Sequence, residues 1–140
     1  MNVFTDMSPA QAAAFNIGLL IFVMMALKVY VGGRRRALKL ASGDTHPEFN
    51  RAVRVQLNAV EDVPALMVGI GALALLGMPA WYIHAAGMTL VVARTLHAFG
   101  LAGSGGFSLG RLLGTLGTFV VAIAVAGACL VHAFAPSPIH

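Results

Sequence analysis

Charge is scarce in this sequence. Asp, Glu, Lys and Arg make up 10% of its 140 residues, whereas a soluble domain carries about a quarter. With 59% hydrophobic residues and a mean hydropathy of +0.84, too little polar surface remains to clothe a fold in water. The bilayer is therefore read as the solvent. Cysteine occurs once, as Cys129 in an apolar run. That excludes an intrachain disulfide and makes the thiol a small buried or lipid-facing hydrophobe. The opening MNVFTDMSPA holds Asp6 but no Lys or Arg. It lacks the basic region that starts a secretory signal peptide, so the first apolar segment is expected to be retained as an anchor. Alternation at period two is missing as well, which excludes the strands of a transmembrane barrel.

Signals for common chemistries are equally thin. His84 and His97 fall at opposite ends of the third span and His132 on the fourth, and no cluster of carboxylates or cysteines gathers with them, which argues against a metal site. Ser104, Ser108 and Thr115 have no triad-like partners. The glycines of GSGG do not sit in a strand–loop–helix unit, so no phosphate loop is expected. No domain is present that would house nucleic-acid binding.

What the chain does have is long apolar runs. A membrane-crossing helix needs about 20 mainly apolar residues, and four segments reach that length: about 8–31, 49–76, 80–101 and 111–134. Ser8 and Pro9 suit the N-cap and first position of the first helix. GMPA (77–80) is a short turn, AGSGGFSLG (102–110) the next connection, and the prolines of APSPIH argue against further helix. Pro64 lies inside the second span and leaves the Val60 carbonyl without its helical donor, which predicts a bend. Small residues in GIGALALLG and GRLLGTLGT suit close helix–helix approach. The expected fold is all-α, one four-helix transmembrane domain over residues 1–140.

The nine basic residues are Lys28, Arg34, Arg35, Arg36, Lys39, Arg51, Arg54, Arg94 and Arg111. All lie near the 1–2 or the 3–4 connection. The positive-inside rule then puts both connections in the cytoplasm and both termini outside. That fits a bacterial inner-membrane protein with periplasmic termini. The run GGRRRALK is also placed to touch anionic lipid headgroups.

RAVRVQLNAVED (51–62) is the least expected stretch. On a helix, Arg51, Arg54, Asn58, Glu61 and Asp62 fall within an arc of roughly 100°. This polar stripe enters an apolar span, where a carboxylate facing lipid near the centre costs at least ~2.5–3.5 kcal/mol. It must face protein, water or a ligand. Arg94 and His97, spaced i, i+3 on the third span, reach a similar depth, and Arg111 begins the fourth span at the same end. An internal ion-pair network is one explanation, pairing Glu61 with Arg94 or Asp62 with Arg54. A site is the other: several cations and a few acids suit a small zwitterion or polyanion, with arginines gripping carboxylates and Glu61 holding an ammonium.

NRAVRVQLNAVEDVPAL, then ARTLHAFGL, then GRLLGT resemble the MAPEG family, the membrane-associated proteins in eicosanoid and glutathione metabolism. The tail GLAGSGGFSLGRLLGTLGT is most similar to its small bacterial branch. The resemblance covers nearly the whole chain. It implies a homotrimer of four-helix subunits with glutathione as co-substrate, held between subunits near the cytoplasmic face. The family's glutathione contacts fall on Arg54, Asn58, Glu61, His97 and Arg111. Arg51 and Arg94 join the candidate binding set, and an arginine ending the family's first span falls on Lys28 or Arg34. Arg111 takes the catalytic role of stabilising the glutathione thiolate, the nucleophilic form of the thiol. Two positions depart from active eicosanoid-type members. Leu57 stands where they have a polar residue before the asparagine. Leu101 replaces a tyrosine one turn after the histidine, and nearby Phe99 cannot donate a hydrogen bond. The implied function is a glutathione-dependent transferase or peroxidase acting on a lipophilic small molecule dissolved in membrane lipid. The alternative is a non-catalytic accessory subunit of a larger membrane complex.

Overall fold

Ser8 starts the first helix through a reciprocal cap. Its hydroxyl accepts from the Gln11 amide N–H at 3.2 Å, and its own N–H donates to the Gln11 side-chain oxygen at 2.8 Å. Pro9 then supplies a helix-ready φ at a position whose N–H has no helical use. In the computed structural model, which describes residues 6–41, 46–103 and 106–134, helix α1 spans Pro9–Ala37. Helices α2 (Pro47–Leu75), α3 (Ala80–Gly103) and α4 (Leu109–Ala133) follow. Residues 135–140, where the prolines were expected to bar helix, lie outside the described residues, as does Ser104.

All four helices are long and apolar enough to cross a membrane. The first is longer than its apolar run. Arg34, Arg35 and Arg36 were expected in the connection but form the last turn of α1. Arginine is a good helix former, and three cations there complement the negative end of the helix dipole. Helix α2 passes through Pro64 and continues to Leu75. It ends in a Schellman turn: Met78 N–H donates to the Leu73 carbonyl at 2.9 Å and Gly77 N–H to that of Ala74 at 3.2 Å. Gly77 has φ +81° there, a conformation that glycine alone adopts without a Cβ penalty.

Helices α2 and α3 form the centre. Helix α1 packs against both on one side and α4 against both on the other, and α1 and α4 do not touch among the described residues. Leu20, Val63, Ile70, Leu73, Ile83 and Leu90 are buried where the helices meet, with Val121 and Val125 of α4 closing that core. Outward-facing Phe22, Val68, Ile123 and Leu130 are exposed, as suits side chains whose solvent is hydrocarbon. Glycine brings α3 and α4 together. A Cβ on Gly114 would stand 2.5 Å from the Ala93 carbonyl oxygen and 2.6 Å from His97 Cβ. This contact sets His97 directly against α4.

Candidate functional site

The polar stripe on α2 has two edges: at 100° per residue Glu61 and Arg54 lie about 20° apart at one, Asp62 lies at the other about 100° from Glu61, and Asn58 falls between them. Asn58 and Asp62 form the line that meets α3. There Arg94, only 3% exposed, donates from Nη1 to Asp62 Oδ2 at 2.7 Å and to the Asn58 backbone carbonyl at 3.0 Å. Among the described residues its Nε is buried without a hydrogen-bond partner. Arg54 and Glu61, seven residues apart, form the second line and face away from that contact.

This differs from both ion pairs that the network explanation of the sequence offered. Arg94 pairs with Asp62 rather than with Glu61, and among the described residues no ion pair joins Asp62 to Arg54. The cause is register: Glu61 is turned about 100° from Asp62, so only Asp62 meets the buried guanidinium.

The second line opens on a cavity of about 480 Å³ between α2, α3 and α4. Arg54, Asn58 and Glu61 line it from α2, His97 from α3, and Arg111 and Thr115 from α4. Leu57 and Leu101 complete the wall. Ser108 caps α4, its hydroxyl accepting from the Arg111 N–H at 3.2 Å. Arg111 thus sits in the first turn of α4, where the helix dipole adds positive potential to its own charge. A smaller cavity of about 200 Å³ shares Asn58, His97 and Thr115 with the first and reaches Asp62, Arg94 and Thr118. The hydroxyl of Thr118 is satisfied on its own helix by the Gly114 carbonyl at 2.8 Å.

Five of the seven residues proposed from the sequence, Arg54, Asn58, Glu61, His97 and Arg111, therefore line one cavity. Arg94 lines only the smaller one and is committed to Asp62 and the α2 backbone. Arg51 lines neither cavity. Lys28 is exposed, and Arg34 is ion-paired with Glu48 at the start of α2. Thr115 escaped the sequence reading as a lining group, although its i, i+4 spacing from Arg111 was a usable signal. A second buried polar contact, also unforeseen, lies toward the other end of the bundle. Asn16 is fully buried, donating from Nδ2 to the Ala12 carbonyl at 2.7 Å, with His84 Nδ1 at 3.1 Å.

The cavity offers two cations, one acid, an amide, an imidazole and a hydroxyl to one small ligand. Its volume falls in the range of small-molecule sites, roughly 300–1,000 Å³. The model of the MAPEG family matches residues 13–131 of the chain. No curated protein and no solved structure matches it.

Proposed function

Because the chain belongs to the MAPEG family and is an integral membrane protein with four spanning helices, we propose that it binds glutathione in the larger cavity and either adds its thiolate to a lipophilic electrophile or, with a second glutathione, reduces a lipophilic hydroperoxide to alcohol and water while forming the disulfide. The observation that carries this reading is the convergence of Arg54, Asn58, Glu61, His97 and Arg111, from three helices, on one cavity of about 480 Å³. The donor set fits the tripeptide's groups. Arg54 is suited to a carboxylate, Glu61 to the ammonium, and Asn58, His97 and Thr115 to amide and carboxylate groups. Glutathione when bound supplies a thiolate nucleophile. Arg111 and the first turn of α4 provide the positive potential that favours that charge. The apolar substrate reaches the site from the bilayer, the charged one from the basic end of the bundle. In this reading the basic end faces the cytoplasm and both termini face outward.

The same reading includes a homotrimer. Arg54, Glu61 and Arg111 are exposed at the surface of a single chain, and the Asp62 side chain is 48% exposed. Charges at such depth are costly against lipid, and a neighbouring copy covers them. A second reading draws on Leu57 and Leu101, which put apolar surface into the cavity wall: a MAPEG-fold accessory subunit without turnover.

Titration calorimetry of glutathione into the purified protein in mild detergent tests the first reading. Saturable binding in the wild type, weakened in Glu61→Gln, is expected. Absence of binding heat together with an unchanged melting midpoint in saturating glutathione would leave the accessory subunit as the better account. A monomeric mass in mild detergent would rule out the trimer.

A further inference from the structure

On the side of the bundle away from α4, a third hollow, of about 380 Å³, opens between α1, α2 and α3. Val23, Leu27 and Tyr30 line it from α1, Val55 from α2, and Ala98 and Phe99 from α3. Its walls are almost wholly apolar. Thr95, which also borders it, has its hydroxyl turned to its own helix, donating to the Val91 carbonyl at 2.8 Å. Phe99 is 75% exposed, so the hollow opens on the outer surface of the single chain. It lies in the basic half of the bilayer, since its residues occupy the second half of α1, the early turns of α2 and the last turns of α3.

Two arginines lie one helical turn beyond its lining, toward the basic end. Arg34 stands one turn beyond Tyr30 on the same face of α1, and Arg51 one turn before Val55 on the same face of α2. Arg51 is the half-buried cation that the polar cavities leave out. Arg34 reaches Glu48, but among the described residues its Nε is buried without a hydrogen-bond partner. Arg35 and Arg36 follow in the same turn, Arg35 with its guanidinium 5.1 Å from the centre of the Phe49 ring.

We infer that this hollow is a binding site for an anionic glycerophospholipid, with one acyl chain in the apolar groove and the phosphate between Arg34 and Arg51. An unfilled apolar groove forfeits dispersion contacts along its whole lining, and in a membrane an acyl chain is the available filler. Chain filling alone does not distinguish one lipid from another. The arginines beyond the headgroup end do, because cations between spanning helices attract anionic headgroups and guanidinium groups bind phosphate in two-point fashion. The charge complementarity commits the site to an anionic lipid. It holds whether or not glutathione occupies the cavity on the other side.

The test uses the full chain in vesicles. Trp81, the sole tryptophan, is changed to Phe, and Phe99→Trp places the probe at the hollow. Fluorescence quenching is compared for phosphatidylglycerol and phosphatidylcholine, each brominated on its acyl chains, at equal mole fraction in otherwise unbrominated phosphatidylcholine. Stronger quenching by the anionic lipid is expected. Arg51→Gln lowers that preference by about fivefold, the size of one basic side chain's attraction to an anionic surface, and Arg51→Lys keeps most of it. Ala98→Leu, which fills the hollow without touching either arginine, brings both lipids to the same bulk level of quenching. Equal quenching by the two lipids in the Arg51-bearing protein would show lipid without selectivity and overturn the inference. So would no quenching by either, the signature of a second copy of the chain covering the groove. An unchanged preference in Arg51→Gln would also overturn it.

Discussion

Removing Asp62 tests the reasoning about the α2–α3 contact most directly. Arg94 is 3% exposed. Among the described residues it donates to Asp62 Oδ2 at 2.7 Å and to the Asn58 carbonyl at 3.0 Å, both through Nη1. In Asp62→Leu the guanidinium keeps one neutral acceptor and loses its counter-charge in the interior of a membrane bundle. Breaking a buried pair by removing one partner costs about 3–5 kcal/mol. The Asp62 side chain is 48% exposed in the single chain, so the lower end applies, about 3 kcal/mol. At roughly 2–4 °C per kcal/mol for a chain of this size, the melting midpoint falls on the order of 10 °C. The assay is thermal unfolding in mild detergent without glutathione, followed by helical circular dichroism. Asp62→Leu combined with Arg94→Met strands no charge and is expected to recover much of the loss, since replacing a whole buried pair with apolar groups is often neutral. If Asp62→Leu melts like wild type, the Arg94–Asp62 contact is not holding α2 to α3. If the double variant loses the sum of the two single losses, the two side chains are not coupled.

Glu61→Gln, on the other line of the stripe, is expected to leave the ligand-free midpoint near wild type while weakening glutathione binding by about 1–3 kcal/mol, as loss of a charge-assisted contact does; calorimetry and melting on the same sample separate the two effects. Arg111→Ala removes a cation near the thiol, so the bound thiol's pKa rises and thiolate absorbance appears at higher pH than in wild type; coincident titrations would remove Arg111 from the catalytic role. Gly114→Val forces a side chain against the Ala93 carbonyl and His97 and is expected to cost about 1–3 kcal/mol through overpacking, whereas Gly127→Ala, with nothing within 4 Å of its Cβ, should not lower the midpoint, since alanine favours the helix. Cysteine at Ala41 in a Cys129→Ala background is expected to react with an impermeant thiol reagent only after the membrane is opened; labelling of intact cells would reverse the orientation.

The four helices were readable from the sequence because the bilayer imposes a length and a hydropathy that few other structures satisfy. Ser8, Pro9 and the GMPA turn marked ends by local chemistry, which a linear sequence carries in full. The end of α1 was misplaced by about two turns for the opposite reason. Hydropathy stops where lipid stops, but Arg34, Arg35 and Arg36 are helix formers that continue the hydrogen-bond ladder into the polar zone.

The sequence alone determined that Arg51, Arg54, Asn58, Glu61 and Asp62 share one face of α2, because helical periodicity requires it. Which of them meets what was decided only in three dimensions. The close approach of α3 and α4 at Gly114, and the seating of α3 on the Asn58–Asp62 line, turn Asp62 toward Arg94. They leave Arg54 and Glu61 to face His97 and Arg111 across a cavity. Arg51, on the line of Asn58 and Asp62 but two turns nearer the start of α2, lines neither cavity. A stripe fixes angles about one axis; the partner of each charge depends on the rotation and depth of the neighbouring helices, which are set by packing between residues far apart in the chain.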